Sequence, residues 1–411
     1  MIRPLRSPDC VLTINGGSSS LKFAVFCAER PLARIISGKF DRIGLPQATL
    51  TVSHAAGSGK ERRVLELPDH AACIGPLADV LHSHECATRV RAVGHRVVHG
   101  GNRFCAPLRV TDEVLAQLRK LSPFAPAHMP AQIALLEVLR DRYPELPQVA
   151  CFDTAFHRDL PRVARLLPIP RRYDAAGVQR YGFHGLSYGH LMRELERSAG
   201  PDVANGRVIL AHLGNGASMA AVRGGRSVDT TMAFTPAAGL VMSTRSGDLD
   251  PGVIEYLART EGMTAQQFYE MVHARSGLLG VSETSSDVRD LLEREADDVR
   301  AAEAIALFCY QAKKWIGALA ATLGGLDTLV FSGGIGENSP TIRARICDGL
   351  GFLGIDLDPA RNDANASVIT KDGSRATVRV IPTDEERLIA QSVIELLAGR
   401  CSAVAEESSR E

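Results

Sequence analysis

The sequence predicts an α/β protein made of two similar halves. Each half opens with an apolar strand, a turn rich in glycine and serine, and a second strand, and each then continues into helical segments. The chain has 411 residues, of which 45% are hydrophobic, so it is long enough for two domains with a core in each. We interpret the repeated order of elements as an internal duplication.

The first half begins with a predicted β-hairpin. Apolar runs at residues 11–15 and 21–26 flank the segment GGSSS, a pattern typical of two strands joined by a polar turn. A further strand is expected at residues 34–43. Apolar side chains then recur with helical spacing at residues 72–82, 112–121 and 130–143.

The second half repeats this pattern. Residues 207–213 are predicted to form a strand that leads into the turn GNGAS, and further strands are expected at residues 219–222 and 227–231. A strand at residues 328–331 then runs into the segment GGIGEN. Helices are predicted at residues 251–259, 264–275, 298–323 and 385–398.

The composition favours an intracellular enzyme. The 47 basic and 47 acidic side chains balance, so no overall positive field favours nucleic acid as a partner. The nine cysteines form no CxxC pair, which fits neither a disulfide framework nor a cysteine zinc site and favours reduced thiols in the cytoplasm. We expect no signal peptide, because the start MIRPLRSPDC is polar and the apolar VLTI after it is interrupted by NGGSSS. We expect no contact with a membrane, because no apolar run reaches spanning length.

Two of the Gly/Ser turns carry groups suited to phosphate oxygens. Residues 15–22 combine backbone N–H groups, three hydroxyls and the ammonium of Lys22 within eight positions. An ordinary polar hairpin turn with an exposed lysine is the alternative interpretation. Residues 212–218 repeat this chemistry directly after a strand, with two glycines around Asn215.

A third glycine-rich segment, SGGIGEN at residues 332–338, follows a strand and precedes a predicted helix start at Ser339-Pro340. The amide dipoles of such a helix start favour an anion or a nucleotide. The segment lacks the G-x-G-x-x-G spacing, and the chain contains no Walker A sequence. Two similar halves with these turns place a phosphate ligand in a cleft between them.

Several charged side chains are candidates for anion binding. Arg96 lies within GHRVVHGG and Arg245 within TRSGDLDP, and a guanidinium holds a carboxylate or a phosphate in a bidentate manner, although surface ion pairing is the alternative. Asp153 stands at the end of an apolar strand. Glu385 begins the last helix, where helix-start chemistry is the simpler explanation. His128, His184 and His212 are either ligands or structural histidines.

Nine motifs, taken together, resemble the acetate kinase family. They run in the family's order from Asn15 to Glu386 and are INGGSSSLKFAVF, GHRVVHGG, FDTAFH, RYGFHGLS, AHLGNGAS, FTPAAGLVMSTRSGDLDP, SSDVRD, FSGGIGEN and IPTDEE. The resemblance implies a duplicated ribonuclease-H-like (actin-like ATPase) fold of two domains, with the active site in the cleft between them. It implies an N-terminal domain of residues 1–153, joined by the C-terminal helix 386–411, and a nucleotide-binding domain of residues 154–385.

The resemblance also implies roles for individual residues. It assigns catalytic roles to Asp153, His184 and Arg245. A magnesium or manganese ion would be bound by Asn15 and Glu385. The carboxylate substrate would contact Arg96, Val98, Ala127, His128, Phe183 and Pro236. ATP would contact Ser18, Ser20, Lys22, His212, Leu213, Gly214, Asn215, Gly216, Asp287, Val288, Arg289, Gly334, Ile335, Gly336, Glu337 and Asn338.

The implied reaction transfers the γ-phosphate of ATP directly, in line, to acetate, giving acetyl phosphate and ADP. A carboxylate substrate is already ionised near neutral pH, which favours Asp153 as an organiser of magnesium, water or His184 over a proton acceptor. An acid–base role for this residue stays open. The family further implies a homodimer and a metabolic partner such as a phosphotransacetylase.

The chain departs from the family pattern near the expected acyl pocket. Ala127 stands where the family usually has leucine, and Met129, Leu186 and Tyr188 are further departures within AHMP and HGLSY. A smaller residue 127 is expected to enlarge the pocket, which keeps a propionate or butyrate kinase open as an alternative. Compensation by Met129 or Leu186, together with the retained Val98, favours acetate. An actin-like or chaperone-like ATPase is the remaining alternative.

Overall fold

The chain folds into two compact units in a computed structural model that describes residues 9–17, 19–28, 31–54, 59–84, 86 and 88–400. The first unit combines the residues up to Ala155 with those from Asp384 onward, and the second runs from Phe156 to Thr383. Each boundary lies two residues from the one expected from the sequence. Glu385, expected in the second domain, therefore belongs to the first unit.

Both units mix strands and helices. The strands are β1 (Cys10–Gly16), β2 (Ser20–Cys27), β3 (Ala33–Asp41), β4 (Ala48–His54), β5 (Lys60–Leu65), β6 (Val90–Val97), β7 (Leu108–Arg109), β8 (Gln148–Phe152), β9 (Arg207–Leu213), β10 (Ala217–Arg223), β11 (Arg226–Thr230), β12 (Thr328–Ser332) and β13 (Thr377–Val380). The helices are α1 (Ile74–Ser83), α2 (Asp112–Leu121), α3 (Met129–Arg142), α4 (Arg162–Arg165), α5 (Arg171–Ala175), α6 (Gly185–Ala199), α7 (Pro201–Ala204), α8 (Gly252–Glu261), α9 (Ala265–Ala274), α10 (Gly277–Ser282), α11 (Val288–Arg294), α12 (Val299–Leu323), α13 (Gly333–Asn338), α14 (Pro340–Cys347), α15 (Pro359–Asp363) and α16 (Glu385–Leu397). None of the helices in the described ranges combines the length and the apolarity needed to cross a membrane.

Five strands of the first sheet have the same order and pairing as the five strands of the second sheet. The first sheet has the order β5-β4-β3-β2-β1-β6-β8-β7, and the second has the order β11-β10-β9-β12-β13. Within β3-β2-β1-β6-β8 two antiparallel pairings are followed by two parallel ones, and the second sheet repeats this sequence of pairings. The internal duplication predicted from the sequence is confirmed.

The parallel strands bring chemistry-bearing residues to one edge of each sheet. In the first unit β1, β6 and β8 end at the same edge, which carries Asn15, Arg96 and Asp153. In the second unit β9 and β12 end together, and each continues directly into a glycine-rich segment. The carboxyl edge of an open α/β sheet is where such folds place their ligands.

Most of the predicted elements are present. The hairpin of β1 and β2, the hairpin of β9 and β10, the strand β12 and the helices α2, α3, α8, α9, α12 and α16 all match their predicted positions within about two residues. Strands β4 to β7 and β13 were not predicted, nor were helices α4 to α7, α10, α11 and α15. The segment GGIGEN was expected to form a turn, but it forms helix α13.

Close packing fixes the second and third turns of α16 against the first sheet. A Cβ on Gly94 of β6 would lie 2.5 Å from Cγ2 of Ile389 and 2.7 Å from Cγ2 of Val393. The missing side chain therefore lets the buried face of α16 lie directly on β6, since any larger residue would push the helix away. This contact sets the position of Glu385 and Glu386, the first two residues of α16.

Candidate active site

An ion pair between Arg96 and Asp153 dominates the carboxyl edge of the first sheet. Nε of Arg96 donates to both carboxylate oxygens at 3.0 Å, and Nη2 donates to Oδ2 at 2.6 Å. Nη1 of the same guanidinium donates to the carbonyl oxygen of Gly16 at 3.2 Å. The arginine predicted to bind substrate is thus held in one orientation by the predicted catalytic carboxylate.

Burial sets the electrostatics of this pair, because the side chain of Asp153 is only 1% exposed. Burial raises the pKa of Asp153, the Arg96 guanidinium opposes the rise, and the charge of Glu385 adds to it. Burial also acts to lower the pKa of Arg96, but the attraction and hydrogen bonds of Asp153 outweigh it and leave that pKa raised. Arg96 therefore keeps its positive charge, and the Asp153 carboxylate is its ion-pair partner.

Two adjacent carboxylates meet Asn15 at the start of α16. Nδ2 of Asn15 donates to Oε2 of Glu385 at 2.8 Å and to Oε1 of Glu386 at 3.0 Å. Burial raises the pKa of Glu386, Lys22 lowers it and Glu385 raises it further. The sequence indicated Asn15 and Glu385 but not the contribution of Glu386, which follows directly in the same motif.

Gln132 of α3 braces the first glycine turn, and sequence reasoning missed it. Its Nε2 donates to the carbonyl oxygen of Gly16 at 2.8 Å, and its Oε1 accepts from the backbone N–H of Val98 at 2.9 Å. A glutamine on the apolar face of a predicted helix was the available signal, and here it is only 4% exposed. Gln132 joins the turn to the end of β6.

The remaining candidates in the first unit differ in exposure. Lys22 pairs with Asn15 across the hairpin, and its side chain is exposed. Ser20 is half-buried at the start of β2, whereas Ser18 lies outside the described residues. Val98 is buried. In the loop before α3, Ala127 is exposed and His128 is half-buried at the residue that precedes the helix.

In the second unit His184 has a left-handed backbone (φ 57°) immediately before α6. Its Nδ1 lies 2.8 Å from Oγ of Ser218, and the hydroxyl of Tyr188 lies 2.5 Å from the same oxygen. Burial raises the pKa of Tyr188, so the phenol stays protonated and can donate. Tyr188, noted in the sequence only as a departure from the family, is part of the network that orients His184.

Gly216 brings His184 and Arg245 to one place. A Cβ on this glycine would lie 3.2 Å from Nε2 of His184 and 3.3 Å from Nη1 of Arg245. The same nitrogen of Arg245 donates to the carbonyl oxygen of Pro236 at 3.1 Å. Two of the three predicted catalytic side chains therefore point at the backbone of the second glycine turn.

A second histidine lies against this group. The rings of His184 and His212 have centroids 4.3 Å apart and are tilted by 33°. Nδ1 of His212 lies 2.8 Å from Oγ of Ser187, which lies 2.8 Å from Oγ1 of Thr383. Ser187 and Thr383 carried no signal in the sequence that separated them from ordinary polar residues.

The two glycine-rich segments of the second unit lie next to each other. A Cβ on Gly333 (φ 76°) would come within 2.7 Å of the carbonyl oxygen of Leu213, so only glycine fits there. A Cβ on Gly214 would lie 3.8 Å from the backbone nitrogen of Gly334. The end of β9 and the first turn of α13 thus form one surface lined by backbone groups, on which Gly214 and Gly334 carry no side chain.

Side-chain hydrogen bonds hold helix α13 in place. Oε1 of Glu337 accepts from the N–H groups of Gly333 at 2.8 Å and of Thr383 at 3.0 Å. The fully buried Arg343 donates to the carbonyl oxygens of Gly336 at 2.9 Å and Glu337 at 3.1 Å. Nδ2 of Asn338 donates to the carbonyl oxygen of Gly334 at 2.9 Å. No pattern in the sequence indicated that Arg343 supports this segment.

The other candidates of the second unit fall into two groups. Phe183 and Pro236 are buried, and Phe183 lies next to His184 in the chain. Asp287 is the N-cap residue of α11. It accepts from the N–H and from Nη2 of Arg289 at 2.9 and 2.6 Å, which lowers the pKa of Asp287. This pair faces solvent, with the Arg289 side chain 85% exposed, and Val288 between them is buried.

Comparisons with known proteins give consistent matches over nearly the whole chain. The model of the Acetokinase family matches residues 10–391. The acetate kinase of Methylocella silvestris is 44% identical over 94% of this chain and 98% of its own, and the propionate kinase of Citrobacter rodentium is 42% identical over 94% and 96%. The crystal structure of Porphyromonas gingivalis acetate kinase superposes with a TM-score of 0.86 at 37% identity, covering 95% of this chain and 100% of that one.

The duplicated strand order, the glycine-rich strand ends and these similarities define a phosphotransferase with the ribonuclease-H-like fold of the actin-like ATPases. More narrowly, the chain belongs to the acetokinase family. Both the fold class and the family expected from the sequence are confirmed.

Proposed function

We propose that this protein is an acetate kinase that transfers the γ-phosphate of ATP to acetate. The observation that carries the proposal is the placement of His184 Nε2 and Arg245 Nη1 around Gly216. This pair supplies hydrogen-bond donors and a fixed positive charge at a glycine turn suited to phosphate. Family membership supports the same reaction.

The main obstacle to this reaction is repulsion between two anions. A carboxylate oxygen of acetate attacks the γ-phosphorus, the bond from that phosphorus to the β–γ bridging oxygen breaks, and ADP leaves with the electron pair. The transition state is loose, and its equatorial oxygens need positive charge and donors. Arg245 and His184 of the second unit provide such groups. No proton acceptor is required, since acetate is ionised near neutral pH.

Asp153 acts as a positioning residue in this proposal. Its carboxylate receives three short N–H contacts from Arg96 and fixes the plane of the guanidinium. A guanidinium held in this way is prepared to receive the acetate carboxylate. Because both oxygens of the Asp153 carboxylate accept hydrogen bonds from Arg96, we propose that Asp153 orients Arg96 and does not transfer a proton.

The carboxylates at the start of α16 fit a magnesium or manganese ion. Glu385 and Glu386 offer the hard oxygen ligands that Mg²⁺ prefers, and Asn15 adds an amide. Burial of Glu386 beside Glu385 penalises its ionised form, and a divalent cation would relieve that penalty. When bound, the ion would neutralise charge on the phosphates.

The homodimer, the cytoplasmic location and the phosphotransacetylase partner stay predictions.

ATP is proposed to bind on the surface formed by β9, the second glycine turn and α13. The adjacent backbone groups of Gly214 and Gly334 leave room for a ligand to approach closely. The contacts assigned to Asp287, Val288 and Arg289 stay a prediction.

An acyl-phosphate assay tests the function directly. With ATP and Mg²⁺, trapping with hydroxylamine must give acetyl hydroxamate, and the amount formed must depend on acetate. Hydrolysis of ATP without trapped product would favour an ATPase instead.

A propionate kinase is the second candidate, because Ala127 is small and exposed and a propionate kinase is 42% identical to this chain. In the wild type we expect similar specificity constants (kcat/KM) for acetate, propionate and butyrate. In an Ala127→Leu variant the specificity constant for propionate, relative to that for acetate, should fall by about 10-fold or more. A steep preference for acetate that Ala127→Leu leaves unchanged would rule out an enlarged pocket.

A further inference from the structure

Three potential metal ligands meet in the first unit, outside the site described above. His54 ends β4, Glu61 lies in β5 and His84 follows α1 directly. Nε2 of His54 lies 3.2 Å from Nε2 of His84 and 4.0 Å from Oε1 of Glu61, and one ligand atom from each residue lies within 4.8 Å of the others. The cluster contains no cysteine, so the spacing of the cysteines did not indicate it.

The strand pairing explains why the first two side chains share a face. Glu61 of β5 pairs with Val52 of β4, and side chains alternate along a strand, so Val52, His54 and Glu61 all face the same side. Val52 belongs to the hydrophobic core together with Val80 of α1, so this is the side that α1 covers. His84 reaches the same place from the C-terminal end of α1.

The hydrogen bonds of His84 fix which ring nitrogen carries its proton. Nδ1 lies 2.8 Å from the carbonyl oxygen of Val80 and 2.9 Å from Oγ of Ser83. The carbonyl can only accept, and the Ser83 hydroxyl donates to that same carbonyl at 3.0 Å, so Nδ1 carries hydrogen. In the neutral ring Nε2 then offers a lone pair, and this lone pair faces His54. Histidines that bind metals usually donate their other N–H to a carboxylate or a backbone carbonyl in this way.

The distances match a metal site. Two nitrogens at about 2.05 Å from one ion with tetrahedral angles lie about 3.3 Å apart, and the two Nε2 atoms here lie 3.2 Å apart. Oε2 of Glu61 accepts from Arg63 at 3.0 Å, while Oε1 faces His54. The Glu61 side chain is 49% exposed and can therefore rotate. A small rotation would bring Oε1, which lies 4.0 Å from Nε2 of His54, within bonding distance of an ion held by the two histidines.

The local field also favours a cation. His84 is the C-cap residue of α1, and the last carbonyl groups of a helix carry partial negative charge. The Glu61 carboxylate adds negative charge, which Arg63 partly offsets at Oε2. Imidazole and carboxylate ligands together suit Zn²⁺ and its neighbours Co²⁺, Ni²⁺ and Cu²⁺, whereas Mg²⁺ and Ca²⁺ prefer all-oxygen sites.

We propose that His54, Glu61 and His84 bind one divalent transition-metal ion, with Zn²⁺ as the best match and water as the fourth ligand. The ion joins the β4–β5 hairpin to the end of α1 and so stabilises this part of the first unit. The alternative is a metal-free hydrogen bond in which Nε2–H of His54 donates to Nε2 of His84.

The test uses the full-length protein, stripped with a chelator and titrated with Zn²⁺ alone by calorimetry, without nucleotide or Mg²⁺. The variants are His54→Ala, His84→Ala and Glu61→Gln. The matched control is His82→Ala, because His82 is exposed on α1 and its Nδ1 binds only the backbone oxygen of Ala78 among the contacts described. We expect the wild type and His82→Ala each to bind one equivalent of Zn²⁺ tightly. Glu61→Gln should bind this ion more weakly, and His54→Ala and His84→Ala should not bind it.

Two further readouts separate a metal site from a structural role. Co²⁺ should give the intense visible absorption of a four-coordinate ion in wild type and His82→Ala but not in His54→Ala. Zn²⁺ should raise the midpoint of thermal unfolding in the same two proteins only. If His54→Ala does not fold, His54→Gln takes its place. Equal Zn²⁺ binding in the His54 variant and in His82→Ala, or no tight equivalent in wild type, would overturn the proposal.

Discussion

Nη2 of Arg96 lies 2.6 Å from Oδ2 of Asp153, and Nε of Arg96 spans both oxygens of the same carboxylate at 3.0 Å. The two residues are 57 positions apart in the chain and meet because β6 and β8 are parallel neighbours. The pair joins the residue proposed to bind acetate to the residue that the sequence marked as catalytic. This contact is the basis of the positioning role proposed for Asp153.

Asp153→Asn should weaken acetate use while the fold is kept. The amide preserves the shape but removes the charge that orients Arg96, so the KM for acetate should rise and kcat/KM should fall by about 10²-fold or more. Asp159→Asn, which changes an exposed carboxylate, is the control. Steady-state kinetics checks the prediction, and an unchanged acetate KM in Asp153→Asn would contradict the positioning role.

Gly216→Ala should reduce kcat with little loss of stability. The added methyl would lie 3.2 Å from His184 Nε2 and 3.3 Å from Arg245 Nη1, which must both shift. We expect a fall in kcat of about 10- to 100-fold, because a small displacement of positioned groups is costly in phosphoryl transfer. Gly317→Ala is the matched control, since a Cβ there meets no atom within 4 Å. Equal rates in the two variants would contradict this view of the site.

Ser218→Ala tests the support of His184. Oγ of Ser218 lies within hydrogen-bond distance of both His184 Nδ1 and the Tyr188 hydroxyl, so its removal frees the ring and leaves a buried phenol without that partner. The loss of one such hydrogen bond, worth about 1 kcal/mol, should lower kcat about 5- to 10-fold and leave the KM for ATP close to the wild-type value. A selective rise in that KM would instead indicate a role in nucleotide binding.

Stability should decline as the pH falls below neutrality, and His157 should contribute to this decline. Burial lowers the pKa of His157 to about 4, against 6.5 for the free side chain. Between these values the unfolded chain binds a proton that the folded chain does not, so the free energy of unfolding falls as the pH falls from about 6.5 to 4. The full effect of this histidine is about 3 kcal/mol.

His157→Gln isolates that contribution. Glutamine keeps a donor for the carbonyl oxygen of Phe183, which lies 3.0 Å from Nε2 of His157, but it does not titrate. Urea unfolding between pH 4.5 and 7 should show a shallower dependence on pH in the variant. The remaining dependence should come in part from His95 and His99, because burial lowers the pKa of each to about 4. Parallel pH curves for variant and wild type would contradict the assignment.

The sequence predicted elements whose signals are local. The hairpins of β1–β2 and β9–β10 were found because apolar runs and Gly/Ser turns lie side by side in the chain. Strand β5 was missed because KERRVL is charged and largely exposed, so it carries no alternation of polar and apolar residues. Neighbouring strands decide its conformation, and those pairings are not visible in a single sequence.

The candidate site shows the same limit. The resemblance to a family named Arg96, Asp153, His184 and Arg245 individually, but only the fold brings Arg96 to Asp153 and places Gly216 beside the other two. Helix α13 was expected to be a turn because GGIG has low helix propensity. Arg343, which hydrogen bonds to the last carbonyl groups of that helix, stabilises it through contacts that no local pattern shows.

The measurement that tests the central claim most directly is acetate-dependent acyl phosphate formation, trapped as the hydroxamate, in Arg245→Ala. Arg275→Ala is the control, because Arg275 is a surface arginine that is 73% exposed. We predict a fall of about 10²- to 10³-fold in kcat for Arg245→Ala with ATP binding retained, incomplete rescue by Arg245→Lys, and a near wild-type rate in the control. A near wild-type rate in Arg245→Ala would remove this arginine from the transition state and contradict the proposed mechanism.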